Sequence, residues 1–206
     1  MRLADLAVQR MLNALDESGG AGVGITHSSL HTAYSSSGAN EVTGGSPAYT
    51  REAATWAAAS GRSKATSASM VFDVPASTTV RWVGFWDAVT AGNFLGMTPN
   101  GGGTPEAFTV PDISNDILEA PAHGFTDAQM VVVWAVPGVA LPTGLAEGTV
   151  YHVRDATTDD LKLAATAGGA AINITAVGSG FLQRIVEETF GAQGTHTVSS
   201  STLSLD

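Results

Sequence analysis

The chain contains no cysteine in 206 residues. That excludes disulfides, thiolate nucleophiles and Cys-ligated zinc, and leaves the redox compartment open. Basic residues are also scarce: nine Lys and Arg stand against nineteen Asp and Glu, for a formal charge of −10. Only Arg62 and Lys64 lie close together. A surface that tracks phosphates needs clustered cations to displace counterions, so no nucleic-acid partner is expected. An anionic membrane surface would repel such a chain for the same reason. No apolar run reaches the length of a membrane span. In the opening MRLADLAVQRMLNALDESGG, Asp5, Gln9 and Arg10 interrupt the continuous apolar stretch that a signal peptide requires. A soluble chain outside Sec export is the expectation.

Motifs for catalysis and cofactors are missing as well. In GGAGVG (19–24), Ile25 stands where the dinucleotide fingerprint needs its third glycine, and the segment follows a helical pattern where the fingerprint must open one. GRSK (61–64) is not a phosphate-binding loop, and no GxSxG elbow occurs. Of the histidines at 27, 31, 123, 152 and 196, His27 and His31 are four apart, but no HExxH and no third ligand follow. They read as exposed or hydrogen-bonded strand residues. The adjacent pairs Asp159-Asp160 and Glu187-Glu188 would point to opposite faces of a strand, so they read as solvated edge charges. Asp155, Asp159 and Asp160 lack the alternation of a calcium loop. Trp82, Phe85 and Trp86 suggest either a stacking platform or core packing, and core packing is the stronger reading. No enzymatic activity, metal or cofactor is expected.

What is present is a mixture of aliphatic residues with abundant Gly, Ala, Ser and Thr, which suits a β-rich chain with tight turns. Leu3, Leu6, Ala7, Met11, Ala14 and Leu15 recur at helical spacing before Gly19-Gly20, predicting a short helix over 1–18. Beyond it, GITHSSLHTAY (24–34) reads as a strand and AYTREAATWAAAS (48–60) leans to strand over helix. ATSASMVFDVP (65–75) alternates Met70, Phe72 and Val74 against Val71 and Asp73. The segment 77–97 predicts a hairpin turning at Ala91-Gly92-Asn93, with Val80, Trp82, Gly84 and Trp86 on one face. LHTAYSSSGANEVTGG (30–45) reads as a strand end and a glycine-rich connection, with Asn40 and Glu41 fixing it through local hydrogen bonds.

PNGGGTPE (99–106) is the strongest breaker and marks a boundary. Short strands are predicted at 116–122, 130–136, 149–157, 160–166 and 170–177, a spacing that suits a small barrel or sandwich. IVEETF (185–190) and HTVSSSTLSLD (196–206) then return to the style of the first part. The expected fold class is mainly β. A β-sandwich with a short N-terminal helix is predicted over 1–104 plus 187–206, and a small inserted all-β module, barrel- or sandwich-like, over 105–186.

The order LHTA (30–33), SGANEVTGGSPAYTRE (37–52), FDVPAS (72–77) and VGFWDAVTAGNFLGM (83–97) resembles virion structural proteins of tailed bacteriophages, of the tail-fibre-like or minor structural kind. The closing EETFGAQGTHTVSSSTLSLD (187–206) is similar to the final strands of that family. Tyr34-Ser35-Ser36 stands where the family often has an Asp-Pro turn. HGFTDAQMVVV (123–133) and the stretch 141–180 resemble a recurrent phage β module. The resemblance implies a non-enzymatic component of the phage particle exterior, made in the host bacterial cytoplasm. Its implied partners are other copies of itself, with trimers the common symmetry of phage fibres, and other virion proteins. A tail-fibre or minor tail protein is the first reading; capsid decoration or a neck or head-fibre protein is the second. A third is host-surface carbohydrate binding by the inserted module, with Trp134, Tyr151 and His152 as the candidate ligand or interface residues.

Overall fold

A computed structural model describes residues 24–204, and all regular structure there is β-strand. The helix expected over 1–18 lies outside the described residues. In chain order the first strands are β1 (His27–His31), β2 (Glu52–Ala53), β3 (Ser63–Ala65), β4 (Met70–Val74), β5 (Thr78–Val80), β6 (Trp82–Trp86) and β7 (Phe94–Pro99). Then follow β8 (Glu106–Val110), β9 (Leu118–Glu119), β10 (Met130–Ala135), β11 (Val150–Arg154), β12 (Asp160–Ala164) and β13 (Gly178–Arg184). The last are β14 (Glu188–Phe190), β15 (Gly194–Val198) and β16 (Thr202–Ser204). The chain divides into two compact units, Met1–Asn100 with Glu187–Asp206, and Gly101–Val186.

In the first unit, β2, β1, β6 and β7 form an antiparallel sheet in that order. The closing strands run back along the chain: β14 pairs with β5, β15 with β4 and β16 with β3. Met70, Phe72 and Val74 are buried while Val71 is 51% exposed, the period-two pattern that their sequence predicts. They pack with Leu30, Val83, Phe85, Phe190 and Val198 into one apolar cluster. Val80 also joins this cluster, whereas Trp82 and Trp86 do not. The single face expected for Val80 through Trp86 is therefore split. The change falls between Val80, which pairs with Glu188 of β14, and Arg81, which joins the sheet of β6: its N–H donates to the His31 carbonyl at 3.0 Å, and its own carbonyl accepts from Asn100 N–H at 2.8 Å. The hairpin turns where expected, with Ala91 and Gly92 both at positive φ. The segment 48–60 is extended, carrying β2 and the bridges Trp56↔Thr66 and Ser60↔Ser63.

The second unit is a closed antiparallel barrel in the order β10-β11-β12-β9-β8-β13. Alternate residues, among them Phe108, Val110, Val131, Val133, Val153, Leu161, Leu163 and Leu182, fill its interior. The strand expected over 170–177 is not one. It touches β12 only through the bridge Ala164↔Ala171 and the Ile172 N–H to Leu163 carbonyl bond at 2.7 Å; beyond that Ile174 N–H is taken by Asp116 Oδ1 at 2.8 Å and Thr175 N–H by the Thr143 carbonyl at 3.1 Å. The ladder is made instead by Gly178–Arg184.

Candidate functional site

The densest polar arrangement lies on the face of the four-stranded sheet opposite the apolar cluster. Leu30 packs into that cluster, so its neighbours Ser29 and His31 point the other way, beside Trp82, Gly84 and Trp86. Ser29 and His31 are both fully buried. His31 Nδ1 lies 2.8 Å from the Ala39 carbonyl, which can only accept, so this nitrogen carries the proton. His31 Nε2 then accepts from Ser29 Oγ–H at 2.7 Å, and Ser29 Oγ accepts from Trp86 Nε1 at 2.8 Å. Burial, only partly offset by the Ala39 bond, pushes the His31 pKa below its ordinary value and favours this neutral form. A Cβ at Gly84 would lie 2.5 Å from both Ser29 Oγ and His31 Nε2, so only glycine fits there.

Ser29 and His31 have the spacing of a nucleophile and its base. Neither is reachable from solvent, and Ser29 Oγ already accepts a hydrogen bond from the indole N–H of Trp86. What the relay does is fasten the connection after β1 to the sheet through the Ala39 carbonyl.

Arg51 fastens the same connection from outside. Its Nε and Nη2 each donate to one Glu41 carboxylate oxygen at 2.8 Å, and Nη1 donates to the carbonyls of Ala88 at 3.1 Å and Ala91 at 2.7 Å. The guanidinium lies 3.4 Å above the Trp86 ring centroid. Phe94 meets the same ring edge-on at 5.1 Å, and a Cβ at Gly38 would clash with it at 2.5 Å. Glu41 thus has a partner ten residues away, where local bonding was expected. Asn40 does supply the turn, at φ +63°. Tyr49 completes the fastening: its hydroxyl accepts from Leu30 N–H at 2.7 Å while its ring stacks on Phe72. Burial raises the Tyr49 pKa well above the ordinary phenol value.

A second cluster joins the two chain segments that flank the other unit. His196, 5% exposed, contacts Glu188 Oε2 through Nδ1 at 2.7 Å and Asn100 Oδ1 through Nε2 at 3.1 Å. Arg81 pairs with Glu187 at 2.8 Å and donates to the Thr32 carbonyl at 3.2 Å. Glu188, which opens β14, and Glu187 just before it reach different partners.

The three candidates in the barrel do not converge. Tyr151 points inward, is 5% exposed, and its hydroxyl accepts from Ala146 N–H at 2.9 Å. Trp134 and His152 are on the outer face, Trp134 donating from Nε1 to Gln183 Oε1 at 3.0 Å. His152 lies opposite Met130, four residues along β10 from Trp134, a separation of about 13 Å. Asp159 Oδ1 accepts from Ala122 N–H and Asp155 pairs with Arg154. Among the described residues, no three His, Asp or Glu side chains are grouped to hold a metal ion. Trp82, Phe85 and Trp86 are buried, so they pack the unit and offer no open platform.

The sequence motifs gave no signal for the Ser29–His31–Trp86 relay or the Arg51 clamp, because their members meet only through strand register. A model for the family described as podophage GP4 fiber I protein gp80 matches residues 18–101, less than half of the chain. No curated protein and no solved structure matches. The matched stretch contains Ser29, His31, Glu41, Arg51 and Trp86, and the match supports a tailed-phage virion structural protein of the fibre-like kind.

Proposed function

We propose that this chain is a non-enzymatic structural component of a tailed-phage particle, a tail-fibre or minor tail protein that assembles with copies of itself and with other virion proteins. It sits on the particle exterior after synthesis in the host bacterial cytoplasm. One observation carries this reading: the residues in the fibre-family match that have chemical potential are engaged in holding a loop. Ser29 and His31 are closed to solvent, and the Arg51 guanidinium is engaged by Glu41, Ala88 and Ala91. Such a site stabilises a surface and turns nothing over. The test is a particle reconstruction with copy number from the purified virion. Density on the tail in multiples of a symmetric oligomer is expected. Density on capsomers alone would overturn the tail address in favour of capsid decoration.

The domain organisation proposed is a β-sandwich virion domain over 1–104 plus 187–206 carrying an inserted module at 105–186. Its support is the partition at Asn100/Gly101 and Val186/Glu187. His196 and Arg81 add support, since they hold Asn100, Glu187 and Glu188 within one unit. The outer barrel face bearing Trp134 and His152 is the proposed surface for a virion partner or a host-surface glycan; Tyr151 supports it from inside.

A further inference from the structure

Two opposite charges stand where the barrel interior runs out at one end. β13 turns Gly180 and Leu182 inward, and the next residue on that face is Arg184, opposite the fully buried Val131 of β10. Glu106 opens β8 opposite Leu182, on the same face as Phe108 and Val110. Arg184 and Glu106 are therefore diagonal neighbours on paired strands, roughly 7–8 Å apart at this register. Their side chains are long enough to meet. Yet among the described residues neither takes part in an ion pair or a side-chain hydrogen bond. Arg154, by contrast, closes on Asp155 at 3.1 Å. A surface ion pair contributes little, so leaving this one open costs the fold almost nothing.

Both charges line a cleft of about 330 Å³ together with Gln129, Phe125 and His123. Gln129 uses only its Oε1, which accepts from Thr126 N–H at 3.1 Å, so its amide N–H groups remain available. His123 is fixed on both sides, accepting from Phe125 N–H at 2.9 Å and reaching the Asp160 carbonyl at 3.4 Å. Its ring stacks with Phe125 at 5.4 Å and 20°, which holds that ring in one plane. At the rim, a Cβ on Gly103 or Gly124 would meet nothing within 4 Å.

We propose that this barrel mouth binds a free α-amino acid in its zwitterionic form. Mouths of small barrels are common ligand positions, and the charges select among ligands. Residues 101–186 hold nine Asp and Glu against three Lys and Arg, so a simple anion is repelled by the barrel and by Glu106 itself. A simple cation would have to sit beside Arg184. A neutral molecule leaves both charges without a counterpart. An α-amino acid carries a carboxylate and an ammonium on one carbon, and it satisfies both at once. The Arg184 fork and the Gln129 amide donate to its carboxylate, Glu106 accepts from its ammonium, and Phe125 packs on its side chain. This inference is independent of where the chain sits on a particle.

The test uses the full chain and titrations followed by saturation-transfer NMR, with alanine, leucine and phenylalanine as probes. N-acetylalanine, which lacks the ammonium, and alaninamide, which lacks the carboxylate, are the controls. At least one amino acid is expected to bind, and both controls at least tenfold more weakly than alanine or not at all. Affinity should fall at least tenfold in Arg184→Gln and in Glu106→Gln, and also in Gly103→Trp, which fills the rim. Unchanged amide spectra for the first two variants exclude misfolding as the cause. Absence of binding by all three amino acids overturns the proposal, as does a control that binds as well as alanine. Binding that survives both charge substitutions overturns it too. So does loss on Trp134→Ala with binding intact in Arg184→Gln, which would move the site to the outer face.

Discussion

The barrel of 101–186 and the unit built from 24–100 with 187–204 solve the same problem differently. In the barrel, six strands pair into a ring, the ladder has no edge, and alternating aliphatic residues fill the inside. In the other unit the pairing is broken into one four-stranded sheet and three two-stranded pairs. Side chains compensate: Arg81 on Glu187 and His196 between Glu188 and Asn100 link the pieces, while Arg51 on Glu41 and Tyr49 on Leu30 fasten the β1–β2 connection. The difference teaches where each unit is vulnerable. The barrel depends on apolar volume, because its backbone is already closed. The sheet unit depends on polar groups that substitute for missing ladder.

The largest effect should come from the barrel interior. Leu161→Ala, at a fully buried position, is expected to cost about 2–5 kcal/mol and to lower one calorimetric transition while leaving the other in place. Equal lowering of both transitions would break the comparison. Next comes Arg51→Ala, which leaves the Glu41 carboxylate, 19% exposed, without its bidentate partner. We expect a loss of about 2–3 kcal/mol in the other transition, only partly restored by Arg51→Lys, which lacks the planar fork. His196→Ala should cost that same transition about 1–3 kcal/mol, measured by urea unfolding, because Asn100 and Glu188 lose a buried partner.

The smallest and most selective effect concerns pH. The folded pKa of His31 is lowered by burial, so the unfolded chain binds the proton first as pH falls. Stability from this group is complete above the unfolded value of about 6.5 and declines below it, with a slope of at most about 1.4 kcal/mol per pH unit. His27, lowered by burial and by Arg51, acts in the same direction. Denaturation followed between pH 7.5 and 5 should show the decline, and His31→Gln should flatten it. An unchanged slope in that variant would assign the decline to another group.

The sequence displays what is local. Met70, Phe72 and Val74 announce their shared face through spacing alone, and Ala91-Gly92-Asn93 announces its turn through composition. Tyr151 and His152, being adjacent in one strand, had to point to opposite faces, so their separation was readable in principle. β13 was hidden because GSG opens it: Gly180 is small since Phe108 and Leu141 occupy the space of its side chain, a fact of packing with no sequence mark. The stretch 170–177 has the composition of a strand, yet Asp116 and Thr143 claim its amides from far along the chain. Spacing alone puts Val80 and Trp82 on one face, and nothing in the letters shows that the pairing partner changes between Val80 and Arg81. The relay from Trp86 to Ala39 was out of reach for the same reason, since register places its members.

The reversed pairing of β14, β15 and β16 with β5, β4 and β3 also sets an order of events during synthesis. The barrel's six strands are contiguous, and all have left the ribosome once residue 184 has emerged. The sheet unit cannot close β3 until Thr202–Ser204 appear, after the whole barrel has been made. The later segment is thus complete before the earlier one, and β3, β4 and β5 wait on the nascent chain with open edges meanwhile.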